Sequence, residues 1–346
     1  MRIPRWAAVL AVVTICVVAA ALGTAGSSNA RPTAGTTVAL VSDIGKFNDR
    51  GFNQNQLLGL NKAKTKLGIN TISLQSNSVS DYSPNFNTAI RKGAKLVIAA
   101  GFLLAPAEAK YAKQFPNVHF AITDYTVHIP PFSTKKGAIL YKNVEGLTYN
   151  ANESGCLVGV LAAKMAKKMG GDTIGAVGGL QIPPVDIWIA GYKFCARKAV
   201  PGTKVLVGYS QDFVATDKCK TVATNQIAGG AKVLFQVAGG CGLGTLKAAD
   251  DAGIWGIGVD VDQYALAKRV LTSGVKRVDN GVLAVAKQEQ QGAFKGGTDL
   301  VFDLKNGGMG IGKINPSVPA SYIKLMNSYK AKIIAGTLKV PFTIPK

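Results

Sequence analysis

The amino-acid sequence predicts an α/β fold in which two Rossmann-like lobes are joined by a multi-strand hinge. Three observations lead there. Short runs rich in Val, Ile and Ala alternate with helical patterns from residue 37 onward, which is the signature of parallel α/β construction. The series completes one open-sheet unit by residue 124 and begins again after the Pro130-Pro131 turn. The first thirty residues follow neither pattern and read as a targeting segment.

In the first series, strands are expected at 37–42, 71–74, 95–100 and 119–124, each an apolar run of strand length. Helices are expected between them at 55–67, 85–92 and 105–114; after the Pro130-Pro131 turn, 138–142 is expected as a linking strand of the second series. The first helix of that series is expected at 152–168, and its apolar positions run nearly all round, so it should be buried. Strands at 173–177, 204–207, 232–237 and 254–259 follow, alternating with helices at 185–199, 218–227 and 244–252. The tail is too short for a third domain. Residues 266–292 are expected to return to the first lobe, 299–304 to the linker and 321–335 to the second lobe. The expected layout is therefore lobe 1 from 35–125 plus 264–297, and lobe 2 from 138–260 plus 315–346.

Arg2 and Arg5 precede an apolar stretch at 7–22, and Ser28-Asn29-Ala30 puts small residues where a signal peptidase reads them. Residues 1–30 are thus expected to be a signal peptide cleaved near Ala30, giving an exported protein, periplasmic or at the cell surface. An uncleaved membrane anchor has close to the right length, but the small-residue exit favours cleavage. Lipidation at Cys16 is disfavoured because Val13-Thr14-Ile15 lacks the small residue expected before it. The chain carries 40 Lys and Arg against 19 Asp and Glu, a net +21, and losing Arg2 and Arg5 lowers this by two to +19. Such a charge attracts polyanions. The basic residues are spread along the chain instead of gathered in a tract, and export removes a genomic target, so no nucleic-acid partner is expected. A solvated basic surface facing an anionic envelope is the simpler reading.

Cys156, Cys195, Cys219 and Cys241 remain after residue 30. An even count in an oxidising compartment favours disulfides, and four cysteines allow three pairings. Cys156–Cys195 and Cys219–Cys241 are favoured, because in this layout each pair lies on neighbouring elements of one lobe. None forms a Cys-x-x-Cys pair, and His119 and His128 are the two histidines of the chain, so no metal site is expected. His119, in an apolar strand, reads as a core histidine. The shortage of histidines, the lack of a Gly-x-Ser-x-Gly elbow and the lack of convincing paired carboxylates argue against an enzyme, so no catalytic residue and no cofactor is assigned. The glycines from Gly239 to Gly244 miss the Gly-x-Gly-x-x-Gly spacing and Lys247 misses that of a P-loop, which removes both phosphate-binding readings.

Ligands of open parallel sheets sit at the carboxyl ends of strands, which directs attention to residues 43–54, 101–102, 178–179, 212–213, 238–242 and 260–263. Here the sequence resembles the basic membrane lipoprotein (BMP) family of ABC-transporter substrate-binding proteins, whose best-understood members bind purine nucleosides. The resemblance is carried by SDIGKFNDRGFNQ at 42–54, GF at 101–102, ITDY at 122–125, NESGCLVGVLAA at 152–163, VGGLQIPPV at 177–185, VLFQVAGGCGLGTLKAA at 233–249, GVDVDQ at 258–263 and SGVKRVD at 273–279. Each segment alone is weak, and their order along most of the chain is what is specific. Lys46-Phe47 departs from the family, which usually has Gly and a small aliphatic residue there, and the four cysteines fall where other residues are usual.

The resemblance implies a type I periplasmic-binding-protein architecture and an extracytoplasmic solute-binding protein of an ABC importer. Such a protein would be a monomer that closes its lobes around a nucleoside and presents it to a membrane permease. Residue by residue, it implies that Asp43 accepts hydrogen bonds from the base edge and that Phe52 stacks on one base face. Phe213 is the candidate for the other face, with Trp188 able to share that role. Gly239 and Gly240 would bring backbone amides to the sugar, and Asp260 would take the ribose hydroxyls with Lys276 nearby as donor. Phe102 and Asn48 complete the candidate ligand set, although Asn48-Asp49 reads more simply as a turn or cap. Physical chemistry agrees with this list: aromatic faces stack on planar bases, carboxylates accept paired hydroxyls, and glycine lets backbone approach a ligand. Plainer readings make Phe52 a core residue and Asp43 a cap. A sensor domain without transport and a nucleoside hydrolase are the alternative functions.

Overall fold

The computed structural model describes residues 35–346, so the signal peptide, its cleavage position and Cys16 lie outside the described residues. The first run of elements is β1 (Thr37–Ser42), α1 (Phe52–Leu67), β2 (Asn70–Leu74), α2 (Tyr82–Arg91), β3 (Leu96–Ala100), α3 (Ala105–Gln114), β4 (His119–Thr123) and β5 (Val144–Tyr149). The second is α4 (Ala151–Lys168), β6 (Thr173–Gly178), α5 (Pro183–Ala199), β7 (Lys204–Tyr209), α6 (Thr216–Ala228), β8 (Val233–Val237), α7 (Leu243–Asp251), β9 (Trp255–Asp260) and β10 (Val270–Lys276). The tail supplies α8 (Val278–Gln290), β11 (Asp299–Phe302), β12 (Met309–Ile311) and α9 (Ala320–Ile334).

Two six-stranded sheets result, in the orders β11-β5-β4-β3-β1-β2 and β12-β10-β9-β8-β6-β7. All neighbours are parallel except β12, which runs antiparallel to β10. Central strands such as β3, β6 and β8 are buried along their whole length, because helices cover both faces of a parallel sheet. Helix α4 is buried on nearly every side, as its all-round apolar pattern predicts, since α5, α9 and the second sheet pack around it. Helix α8 packs on α1 against the first sheet. The chain consequently passes from sheet to sheet three times: between β5 and α4, between β10 and α8, and between β11 and β12.

Those crossings correct the expected boundaries. Residues 138–142 form no strand. Ile139 makes only an isolated bridge to Ser133, and the strand before the first crossing is β5, the neighbour of β4. Residues 270–276 belong to the second sheet as β10, paired with β9, so the return to the first sheet begins at Val278. Residues 299–302 are the edge strand β11 of the first sheet, paired with β5. His119 is also displaced from its expected place: it opens β4 at the sheet margin, half-exposed, where its Nδ1 lies 2.6 Å from Glu289 Oε2 and its ring stacks on Phe294 at 4.2 Å.

Both favoured disulfides are formed. Cys156–Cys195 joins α4 to α5 with its Cα atoms 4.9 Å apart, and Cys219–Cys241 joins α6 to the turn after β8 with a Cα separation of 5.6 Å.

Candidate functional site

A cavity lies where the carboxyl ends of the two sheets meet. From the first sheet come the loop after β1, with Asp43, Asp49, Phe52 and Asn53, then Gly101 and Phe102 after β3 and Asp124 after β4. From the second come Trp188 and Val185 on α5, Phe213 after β7, Gly239 after β8, Asp260 at the end of β9 and Lys276 at the end of β10. Eight of the ten sequence-derived ligand residues therefore line one space. Gly240 does not line it: it packs instead toward Asp49, whose Cα would lie 3.7 Å from a Cβ at that position. Asn48 does not either, because the turn directs Asp49 inward and leaves Asn48 exposed in a separate groove beside Arg50, Gln54 and Asp262.

The loop after β1 is organised by two buried carboxylates. Asp49 caps α1, accepting from the backbone N–H groups of Gly51 and Gln54 through Oδ1 (both 3.0 Å) and of Asn53 through Oδ2 (2.8 Å). Asp43 accepts through Oδ1 from the Gly45 N–H (2.8 Å) and from Asn53 Nδ2 (2.7 Å). Its Oδ2 carries no hydrogen bond among the described residues, and the residue lines the cavity. Burial pushes the Asp43 carboxyl up to about 7, against the lowering effect of the Gly45 and Asn53 bonds.

Glycines shape two of the aromatic walls. At Gly101, whose φ is +122°, a Cβ would meet the Phe52 ring at 3.0 Å, so only glycine lets this turn lie flat beside the ring. At Gly179 a Cβ would come within 2.3 Å of the Phe213 ring. Trp188 is almost wholly buried and meets Phe235 edge-on at 6.0 Å, while Phe102 leans on Tyr125 at 4.8 Å.

Beneath the aromatic groups lies an ion triad. Lys276 Nζ donates to Asp124 Oδ2 at 2.6 Å and lies 3.4 Å from Asp260 Oδ1, and all three residues are buried or nearly so. The same ammonium sits 4.6 Å from the Phe52 ring centroid. Burial works against the charged lysine, but Asp124 and Asp260 outweigh it and raise its pKa. Burial pushes Asp260 up to about 6, with Lys276 pulling the other way. Asp124 and Asp260 both adopt the left-handed conformation (φ 61° and 64°), which aspartate tolerates better than most residues. Asp124 and Asn53 had no role in the sequence reading. Asp124 follows β4 directly, as Asp43 follows β1, so extending the strand-end inspection to β4 would have included it. Among the described residues no group of three or more His, Cys, Asp or Glu is placed to hold a metal ion.

This construction matches a known family over almost the whole described chain: residues 36–343 fit the model of the Bmp family, ABC transporter substrate-binding proteins of the PnrA-like type. The chain belongs to the Bmp family. Among curated relatives of this Bmp protein, the "ABC transporter nucleoside-binding protein BmpA" of Lactococcus lactis is 34% identical over 88% of each chain. The "CD4+ T-cell-stimulating antigen" of Listeria monocytogenes is 32% identical, again over 88% of each. Among solved structures, an ABC transporter solute-binding protein from Aeropyrum pernix K1 superposes with a TM-score of 0.78, covering 88% of this chain and 94% of that one at 24% identity, which establishes the shared fold. Bmp proteins are substrate-binding components of ABC transporters, so this one takes a small solute outside the cytoplasm and meets a membrane permease.

Proposed function

We propose that this Bmp protein captures a purine nucleoside between its lobes and delivers it to an ABC importer without chemically altering it. The observation that carries the reading is the pairing, in one cavity, of aromatic groups from both sheets with the carboxylates of Asp43 and Asp260. Phe52 and Phe213 stack on the two faces of the base, and Trp188 closes the side. Asp43 Oδ2 accepts a base N–H. Asp260 accepts the ribose hydroxyls, held in place by Lys276, which keeps one of its three N–H donors for the sugar. Gly239 offers backbone beside Phe213, and the name carried by the Lactococcus lactis relative agrees with a nucleoside.

Capture would favour the closed arrangement because each lobe supplies half of the contacts. The deciding experiment is a thermal-shift panel of nucleosides, nucleobases, sugars and amino acids on the protein lacking residues 1–30. Inosine and guanosine should raise the midpoint, and chromatography afterwards should recover them intact. Stabilisation by sugars or amino acids alone would reject the nucleoside, and turnover of inosine would reject the receptor.

A further inference from the structure

Gln263 does not line the cavity, yet it is buried to 1% exposure between the lobes. Its side-chain oxygen accepts from the Val259 backbone N–H at 3.1 Å and from Gln236 Nε2 at 2.7 Å. A backbone N–H can only donate, so the oxygen end of the amide is fixed and Nε2 must point the other way. Gln236 is oriented by the same logic, since its own oxygen accepts from the Ala238 N–H at 3.0 Å. The Gln263 backbone is tied down as well, its N–H donating to Ser273 Oγ at 3.0 Å. All of these partners belong to the second lobe. What the fixed Nε2 meets is the Arg50 carbonyl of the first lobe, at 3.0 Å.

Arg50 occupies a telling place. It holds a left-handed conformation (φ 53°) between Asp49, which caps α1, and Phe52, which opens that helix at the cavity. Its carbonyl therefore reports the position of the very loop that carries Asp43, Asp49 and Phe52. With the lobes apart, the carbonyl would turn to solvent and the oriented amide of Gln263 would lose its partner. A bond between the lobes would thus depend on closure, and neither of its partners lines the cavity.

Building on the closure reading above, we propose that Gln263 is a latch that holds the lobes shut and sets how long a bound solute is retained, without contacting the solute. Stopped-flow binding of inosine, followed through the intrinsic fluorescence of Trp188, which lines the cavity, and Trp255, tests it. Gln263→Met, which keeps the length and removes the donor to Arg50 together with the oxygen that Val259 and Gln236 use, should raise koff about threefold to tenfold while leaving kon within about twofold of wild type. Gln263→Asn keeps the amide but is one methylene short of Arg50, so it should show the same rise, and it keeps the test alive if the methionine variant folds poorly. A purely structural role would instead lower the unliganded melting temperature with koff unchanged. Unchanged koff in a folded variant, or a fall in kon alone, overturns the latch. If wild-type protein ignores inosine, the nucleoside reading fails separately, and the same comparison is made with whichever panel solute stabilises wild type.

Discussion

Asp43 shows what a single buried group can make measurable. Its ordinary value is 3.8, and in the fold burial holds its proton up to about 7. The stability it contributes is thus fully present below about pH 4 and is lost as pH rises through about 7. Asp43→Asn keeps an oxygen for Gly45 and Asn53 and removes the titration. Between pH 4 and 7 the unliganded wild-type protein should therefore lose melting temperature relative to this variant, and parallel curves would count against a buried, protonatable carboxyl. A base N–H bonded to Asp43 favours the ionised form, so inosine binding near pH 6 should release a proton, which calorimetry in buffers of different ionisation heat would detect. For the stacking residues, Phe52→Ala should weaken inosine binding about tenfold to hundredfold, and Asp260→Ala should weaken it too, both read by titration. An unchanged affinity in Phe52→Ala would reduce that ring to a packing element. Asp43 and Asp260 lie in the strand-end segments the sequence directs attention to, the family resemblance implied their roles, and both line the cavity. Asp49 was legible only as a cap, and the closeness of Asp124 to Lys276 could not be read from residues 152 positions apart.

At the level of elements, the two disulfides have different neighbours and should have different consequences. Cys219–Cys241 ties α6 to the turn that carries Gly239, and the Cys241 N–H donates to the Phe213 carbonyl at 3.0 Å. Cys156–Cys195 sits between α4 and α5, with residues 39 apart in sequence against 22 for the other pair. Replacing either pair by serine should cost about 2–4 kcal/mol of stability in urea titrations, the larger loop losing more on the chain-entropy account. Only the Cys219→Ser/Cys241→Ser protein should also bind inosine more weakly; equal affinities in the two variants would show that the turn needs no such tether. Strands were readable where they are apolar runs, as in β3 and β8. β10 was hidden because Thr272 and Ser273 interrupt it, and the structure shows why they can be buried: Thr272 Oγ1 donates to the Gly312 carbonyl at 3.2 Å, and Ser273 Oγ accepts from the Gln263 N–H. β5 was hidden by Glu145 and Gly146, and its register against β11 joins segments that sequence alone does not bring together.

Across the whole molecule, three chain crossings connect the two sheets, and the proposed closure would turn about them with each sheet intact. Small-angle scattering should show a smaller radius of gyration with inosine than without, and no change on saturation would contradict closure. N-terminal sequencing of the exported protein should begin at Arg31, which would establish the cleavage proposed near Ala30. The charge of the molecule also has an inside and an outside. The chain as a whole is strongly basic, but the cavity gathers Asp43, Asp49, Asp124 and Asp260 around one lysine whose charge is already engaged. A phosphorylated solute would be drawn toward the exterior and then refused at the interior, where Lys276 is the one cation among the described residues lining the cavity and is already paired. Inosine 5′-monophosphate should accordingly leave the melting temperature unmoved, and nucleotides spilled outside the cell would become cargo only after a phosphatase had stripped them.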